Sequence, residues 1–162
     1  MCDVTLSSGY YFVNKGIFIF DYNDGYFLTI PELFAINHFP ETQQWTLLGK
    51  DSINFETFVS KPFVYSDTFK HRIAPRLPST LTHTTKQDEA VNFKLHVEDN
   101  STIDKLSIVS NNGWKVSEQQ LQHYDYANGI LSFKHQFSKK GLYDFHIYVD
   151  DSPVITYTIE VN

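Results

Sequence analysis

The sequence predicts a mainly β fold with one or two short helices, its second half folding as a two-sheet sandwich. Three observations carry this. Fourteen Phe and ten Tyr supply the aromatic side chains that suit half-buried pleated surfaces. From Ala90 onward apolar residues recur with period two: Val91, Phe93, Leu95 and Val97 alternate with Asn92, Lys94, His96 and Glu98. Turn signals such as Asn128-Gly129 and Asp150-Asp151-Ser152-Pro153 divide the alternating runs.

The first stretch reads as short aromatic strands at Gly9 to Val13 and Gly16 to Asp21. Tyr22-Asn23-Asp24-Gly25 is expected to turn, with Gly25 supplying a positive φ, and Tyr26 to Leu28 to form the next strand. A helix should follow. Thr29 is its expected N-cap, Pro31 lies in the first turn, Glu32 completes a capping box, and Leu33, Phe34 and Ile36 form the apolar stripe. It should stop before Pro40. A second short helix is expected from about Ile53 to Ser60, capped by Ser52 and closed by Pro62. Ala74 to Asp88 carries Pro75, Pro78 and many Ser and Thr, and reads as a linker or an irregular lead-in strand.

In the second half, Leu106 to Val109 is a short buried run and Ile130 to Phe137 a strand. Tyr143, Phe145, Ile147 and Val149 share one face, as do Ile155, Tyr157, Ile159 and Val161. Roughly five to seven strands with turns every 8–12 residues is the pattern of a β-sandwich. The architecture is immunoglobulin-like without the paired cysteines of antibody domains, since Cys2 is the single cysteine.

The net charge of −6 argues against a nucleic-acid binder, which needs clustered Lys and Arg; the longest basic run is Lys139–Lys140. One cysteine permits no internal disulfide and points to a reducing compartment. No apolar run approaches ~18 residues, so no membrane span is expected, and no signal peptide is visible at the start. Asn100-Ser101-Thr102 matches a glycosylation acceptor pattern and reads as a plain turn.

The search for chemistry returns little. The seven histidines are His38, His71, His83, His96, His123, His135 and His146; none forms an i, i+4 pair on an expected helix, and each reads as a solvated or hydrogen-bonded surface residue. No metal or cofactor is expected. Phosphate-binding glycine loops and a G-x-S-x-G elbow are absent. Cys2 and Asp3 supply two of the residue types of a Cys-His-Asp triad. On a strand, neighbouring residues face opposite ways and could not flank one imidazole, so Cys2 reads as a small buried or terminal residue. No imidazole is expected beside Asp3, and the chain alone is expected to catalyse nothing.

Asp3-Val4-Thr5-Leu6-Ser7-Ser8-Gly9 resembles the segment around the triad aspartate of transglutaminase-like proteins. Phe18-Ile19-Phe20-Asp21-Tyr22-Asn23-Asp24-Gly25-Tyr26-Phe27-Leu28-Thr29-Ile30-Pro31-Glu32 resembles the segment on the C-terminal side of that aspartate in the kyphoscoliosis-peptidase branch of the superfamily. His38-Phe39-Pro40-Glu41, then Trp45, Leu47, Leu48, Phe55 and Phe58, continue the likeness in order. Leu6 and Ser7 depart from it, standing where the family usually has tryptophan and glycine.

The resemblance implies the C-terminal segment of a transglutaminase-like core over residues 1–72, a linker or lead-in strand over 73–89, and an immunoglobulin-like domain over 90–162. It makes Asp3 a vestigial triad aspartate whose cysteine and histidine partners would lie upstream of this chain. The function it implies is non-catalytic protein interaction or scaffolding, with cytoskeletal protein partners and a cytoplasmic or cytoskeleton-associated location. The residues leave two other functions open. Asp3 could serve a peptidase or transglutaminase site completed by an upstream segment or another chain. Alternatively, exposed Trp114, Tyr124 and Tyr126 could stack on sugar rings of a bound carbohydrate.

Overall fold

The computed structural model describes residues 2–42, 48, 53–98 and 103–162. It is mainly β, with short helices in the first half and a two-sheet, largely antiparallel sandwich built mostly from the second, as the alternating pattern predicts.

The chain enters through helix α1 (Val4–Ser7) and a hairpin of β1 (Gly9–Phe12) and β2 (Ile17–Phe20), in which Tyr11 pairs with Phe18 and Tyr10 with Ile19. The hairpin turn falls at Val13–Lys15, with Gly16 in the left-handed region. The turn expected at Tyr22–Gly25 is instead a single 3-10 turn over Asp24–Tyr26. Gly25 is not in the left-handed region. It is needed for space: a Cβ there would lie 2.1 Å from the Phe69 carbonyl carbon and oxygen. Tyr26 to Leu28 forms no strand; Phe27 makes one isolated bridge to Cys2.

Helix α2 (Pro31–Phe34) is shorter than expected. Ile30 occupies its N-cap without a side-chain bond, so the expected Thr29–Glu32 capping box does not form. The Thr29 hydroxyl donates instead to the Gly25 carbonyl. The second helix is present as α3 (Phe55–Val59), capped by Asn54, whose Oδ1 accepts from Thr57 N at 2.7 Å; Ser52, the expected cap, lies outside the described residues. After β3 (Phe63–Val64) comes α4 (Ser66–Lys70), which no sequence signal had marked.

The stretch expected as linker or lead-in strand contains β4 (Ile73–Leu77) and β5 (Thr82–Thr85). The sandwich continues with β6 (Ala90–Val97), β7 (Leu106–Asn111), β8 (Val116–Gln120), β9 (Asp125–Ala127), β10 (Ile130–Gln136), β11 (Gly141–Val149) and β12 (Ser152–Val161). One sheet runs β4-β6-β10-β9. The other runs β3-β12-β11-β7-β8, and β5 lies parallel along the rest of the β12 edge that β3 begins. Asn128 and Gly129 both take positive φ, as the β9–β10 hairpin requires.

The inner faces hold the residues that the alternation selects. Val91, Phe93, Leu95 and Val97 are buried from one sheet, and Phe145, Ile147, Val149, Ile155, Tyr157 and Ile159 from the other. Phe93 joins the layers: its ring stacks on Phe133 at 5.0 Å and on Phe145 at 4.6 Å, and meets Tyr157 edge-on at 5.5 Å. Full burial of such a ring stabilises by roughly 1.5–3 kcal/mol, and each aromatic pair adds about 0.5–1.5 kcal/mol.

The same apolar cluster extends into the first half through Val64, Phe69, Tyr26 and Leu33. Tyr65 N donates to Val154 O at 3.1 Å, and the Thr68 hydroxyl donates to the same carbonyl. Buried Asn23 ties the entry segment to α4, its Nδ2 donating to Ser66 O at 2.9 Å and to Ser66 Oγ at 3.0 Å.

Candidate functional site: a histidine–aspartate pair at the entry helix

Asp3 does not lie on a strand. It is the N-cap of α1, with extended φ and ψ, and its Oδ1 accepts from Leu6 N at 2.8 Å. This satisfies one of the donors that a helix start leaves unpaired. Its backbone N–H donates to Tyr26 O at 3.2 Å. Together with the Cys2–Phe27 bridge, this bond lays the chain entry along the segment that leads to α2.

The second carboxylate oxygen holds an imidazole. His38 Nε2 lies 2.8 Å from Asp3 Oδ2, and both side chains are about one-fifth exposed. The absence of an imidazole beside Asp3, expected from the sequence, is therefore overturned. The two residues are far apart in sequence and meet because the turn after α2 folds back over the chain entry. Aromatic neighbours hold the ring: it stacks on Phe34 at 3.7 Å and meets Tyr26 and Phe69 edge-on, each at 6.4 Å. Tyr26 in turn stacks on Phe69 at 4.3 Å.

What the pair can do depends on the other ring nitrogen. His38 Nδ1 faces the Phe34 carbonyl oxygen at 3.0 Å. A carboxylate and a carbonyl are both acceptors, so both contacts are complete when both ring nitrogens carry hydrogen. In a nucleophilic triad the acid holds one nitrogen and the other faces the nucleophile. Here the backbone occupies that second position. Cys2 is exposed, and among the described residues no hydrogen bond joins it to the ring.

The electrostatics agree with an ionised cap. Burial raises the Asp3 carboxyl, while the Leu6 N–H and the His38 ring lower it by more, leaving it below the ordinary carboxylate value. Burial raises the neighbouring Tyr26 phenol, and the Ser66 and Asn37 side chains only partly offset this.

No family model matches the chain, and neither does any curated protein. Solved structures give weak backbone likenesses. An engineered protein from the Northeast Structural Genomics Consortium superposes with a TM-score of 0.39 at 7% identity, over 64% of this chain and 21% of its own. This chain thus spans about a fifth of that protein. The swine CD8aa homodimer superposes with a TM-score of 0.31 at 14% identity, over 56% of this chain and 94% of its own.

The other histidines divide. His146 is half-buried and hydrogen-bonds Thr156 Oγ1 at 2.7 Å, the same hydroxyl that donates to the Tyr65 phenol. His135, expected on a solvated surface, packs its ring against Phe137 and Phe145, and burial lowers its pKa. His96 is likewise half-buried, its Nδ1 enclosed without a partner among the described residues. Among the described residues, no three His, Cys, Asp or Glu converge as a metal site, and no helix is long and apolar enough to cross a membrane.

A second feature stands beside the pair. On one face of the hairpin, Tyr11, Phe18 and Phe20 are exposed, Phe20 by 86%, with the Phe18 and Phe20 rings 5.0 Å apart. Tyr10 and Ile17 are exposed on the other face. Among the described residues β1 and β2 pair only with each other, so each has a free edge.

Proposed function

We propose that the chain is a non-catalytic protein-interaction piece: the C-terminal part of a transglutaminase-like protein of the kyphoscoliosis-peptidase branch, acting on cytoskeletal partners in the cytoplasm. The observation that carries this reading is the two-stranded aromatic hairpin. An isolated hairpin is marginally stable in water, and contiguous exposed apolar surface marks a contact site. A free edge beside Tyr11, Phe18 and Phe20 suits an extended partner segment that adds as a third strand and lays apolar side chains on the rings. The Asp3–His38 pair acts structurally in this reading, capping α1 and holding the segment that presents the hairpin.

Co-sedimentation of the purified chain with cytoskeletal filaments tests the proposal. Phe20→Asp changes a side chain that packs on little besides Phe18, so folding stability should move by no more than about 0.5 kcal/mol. Filament binding should fall about tenfold or more. Equal pelleting of the native chain and the variant would refute the hairpin as the contact.

The alternative, in which Asp3 serves a catalytic site completed elsewhere, meets a local obstacle. Its two oxygens already accept from Leu6 N–H and contact the His38 ring, so an incoming imidazole would have to share an oxygen with one of them or displace it. Co-purification with a partner carrying an activated cysteine would support it; a stable lone monomer in gel filtration would count against it.

A further inference from the structure

The sandwich carries a cleft that the interaction reading leaves unused. It is an open cleft of about 720 Å³ on the outer face of the sheet containing β6, β10 and β9, bordered by the loop that joins β8 to β9. The period-two alternation of β6 and β10 sends Phe93 and Phe133 inward and Asn92, Lys94, Ser132 and Lys134 outward. Lys94 pairs across the strands with Ser132, and Asn92 with Lys134, so the two lysines are diagonal neighbours roughly 7–8 Å apart at Cα. Ser132 also pairs with Asp125 on β9. The loop adds Tyr124, a residue 37% exposed, and is anchored by Leu121 N donating to Leu106 O at 2.9 Å.

Two features single this cleft out on an acidic protein. Among the described residues, neither Lys94 nor Lys134 has a carboxylate within ion-pair distance. Both stand on paired strands rather than loops, as diagonal neighbours whose long side chains can reach one anionic group. The rest of the lining supplies polar groups able to bond hydroxyls (Asn92, Gln122, His123, Asp125 and Ser132), the exposed aromatic Tyr124, and the buried Phe93 and Phe133.

We propose that this cleft binds a sugar carrying one anionic substituent. Lys94 and Lys134 clasp the anion, Asp125 and Asn92 bond the ring hydroxyls, and Tyr124 packs on the sugar's apolar face. A uronate and a sulfated sugar present the same recognition chemistry. The assignment also sorts the exposed aromatics: Tyr124 lines the cleft, whereas Trp114 lines a separate recess and Tyr126 does not contribute.

The test is titration of the 15N-labelled chain with glucuronate, glucose 6-sulfate, glucose and inorganic sulfate, each to about 50 mM, a range suited to a weak single-sugar site. Saturable shifts centred on Lys94, Ser132 and Tyr124 are expected with one or both acidic sugars, and which of them binds identifies the anion. Glucose and sulfate should each bind about tenfold more weakly. Lys94→Gln with Lys134→Gln should weaken the acidic sugar about tenfold with an otherwise unchanged spectrum, and Tyr124→Ala should weaken it without affecting sulfate. Glucose binding as tightly as glucuronate would overturn the role of the lysines. Sulfate binding as tightly as the sugars would reduce the site to a bare anion site and overturn the saccharide. No saturable shift in the cleft with either acidic sugar would overturn the proposal. None of these readouts depends on filament binding, so the cleft and the hairpin fail or stand separately.

Discussion

The Nε2 of His38 lies 2.8 Å from the Oδ2 of Asp3, while its Nδ1 faces the carbonyl oxygen of Phe34 at 3.0 Å. In a nucleophilic triad the second ring nitrogen faces the nucleophile; here that nitrogen faces backbone. The pair ties the start of α1 to the turn after α2, next to the stacked Tyr26 and Phe69 rings that join the main core.

Asp3→Asn separates charge from cap, because asparagine caps helices as well as aspartate does. The folded carboxyl lies below its ordinary value, so its contribution to stability is present above about pH 4, the unfolded value, and is lost as pH falls through the folded one. Urea unfolding should show the native chain more stable than Asp3→Asn at pH 7, by about 1 kcal/mol or less for a partly exposed pair, with the gap closing on acidification below about pH 4. Asp3→Ala should cost about 1 kcal/mol more, because the cap is lost too. A gap that is the same at pH 7 and pH 3 would show that the Asp3 charge contributes nothing.

Gly25→Ala tests the contact between the 3-10 turn and α4. The added methyl would meet the Phe69 carbonyl at 2.1 Å, and backbone cannot rotate away as a side chain can. A loss of about 2–3 kcal/mol is expected in chemical denaturation, from overpacking alone. A loss below about 0.5 kcal/mol would mean that the turn and α4 are not held together as described.

Much of this could be read from residues, and the exceptions share a cause. The strands of the second half come from alternation, because side chains on a sheet with one buried face must alternate, and Asn128-Gly129 marks its hairpin for reasons of φ. Gly25 was visible, but its reason was not: a close approach to Phe69 depends on tertiary packing that local turn rules do not contain. The Ala74–Asp88 stretch hid β4 and β5 because both draw stability from long neighbours, β6 and β12, rather than from their own apolar pattern. His38 was visible only inside the His38-Phe39-Pro40-Glu41 match, since nothing local indicates that a turn will return it to Asp3.

Tyr157→Phe probes the centre of the sandwich. The Tyr157 hydroxyl is fully buried with no hydrogen-bond partner among the described residues, and burial drives its pKa upward. An unsatisfied buried hydroxyl costs about 1–3 kcal/mol, so deleting it should leave stability unchanged or raise it by about 1 kcal/mol. Thermal unfolding checks this. A clear fall in Tm would reveal a hydrogen bond to that hydroxyl.

The non-catalytic reading is tested most directly by assaying the purified full chain for peptide hydrolysis and for glutamine–lysine transfer, alongside Asp3→Asn and Cys2→Ser. With His38 Nδ1 facing the Phe34 carbonyl and, among the described residues, no hydrogen bond from the ring to Cys2, the account predicts turnover no higher than buffer for all three proteins. Turnover by the native chain that vanishes in both variants, while their thermal unfolding stays close to native, would contradict it.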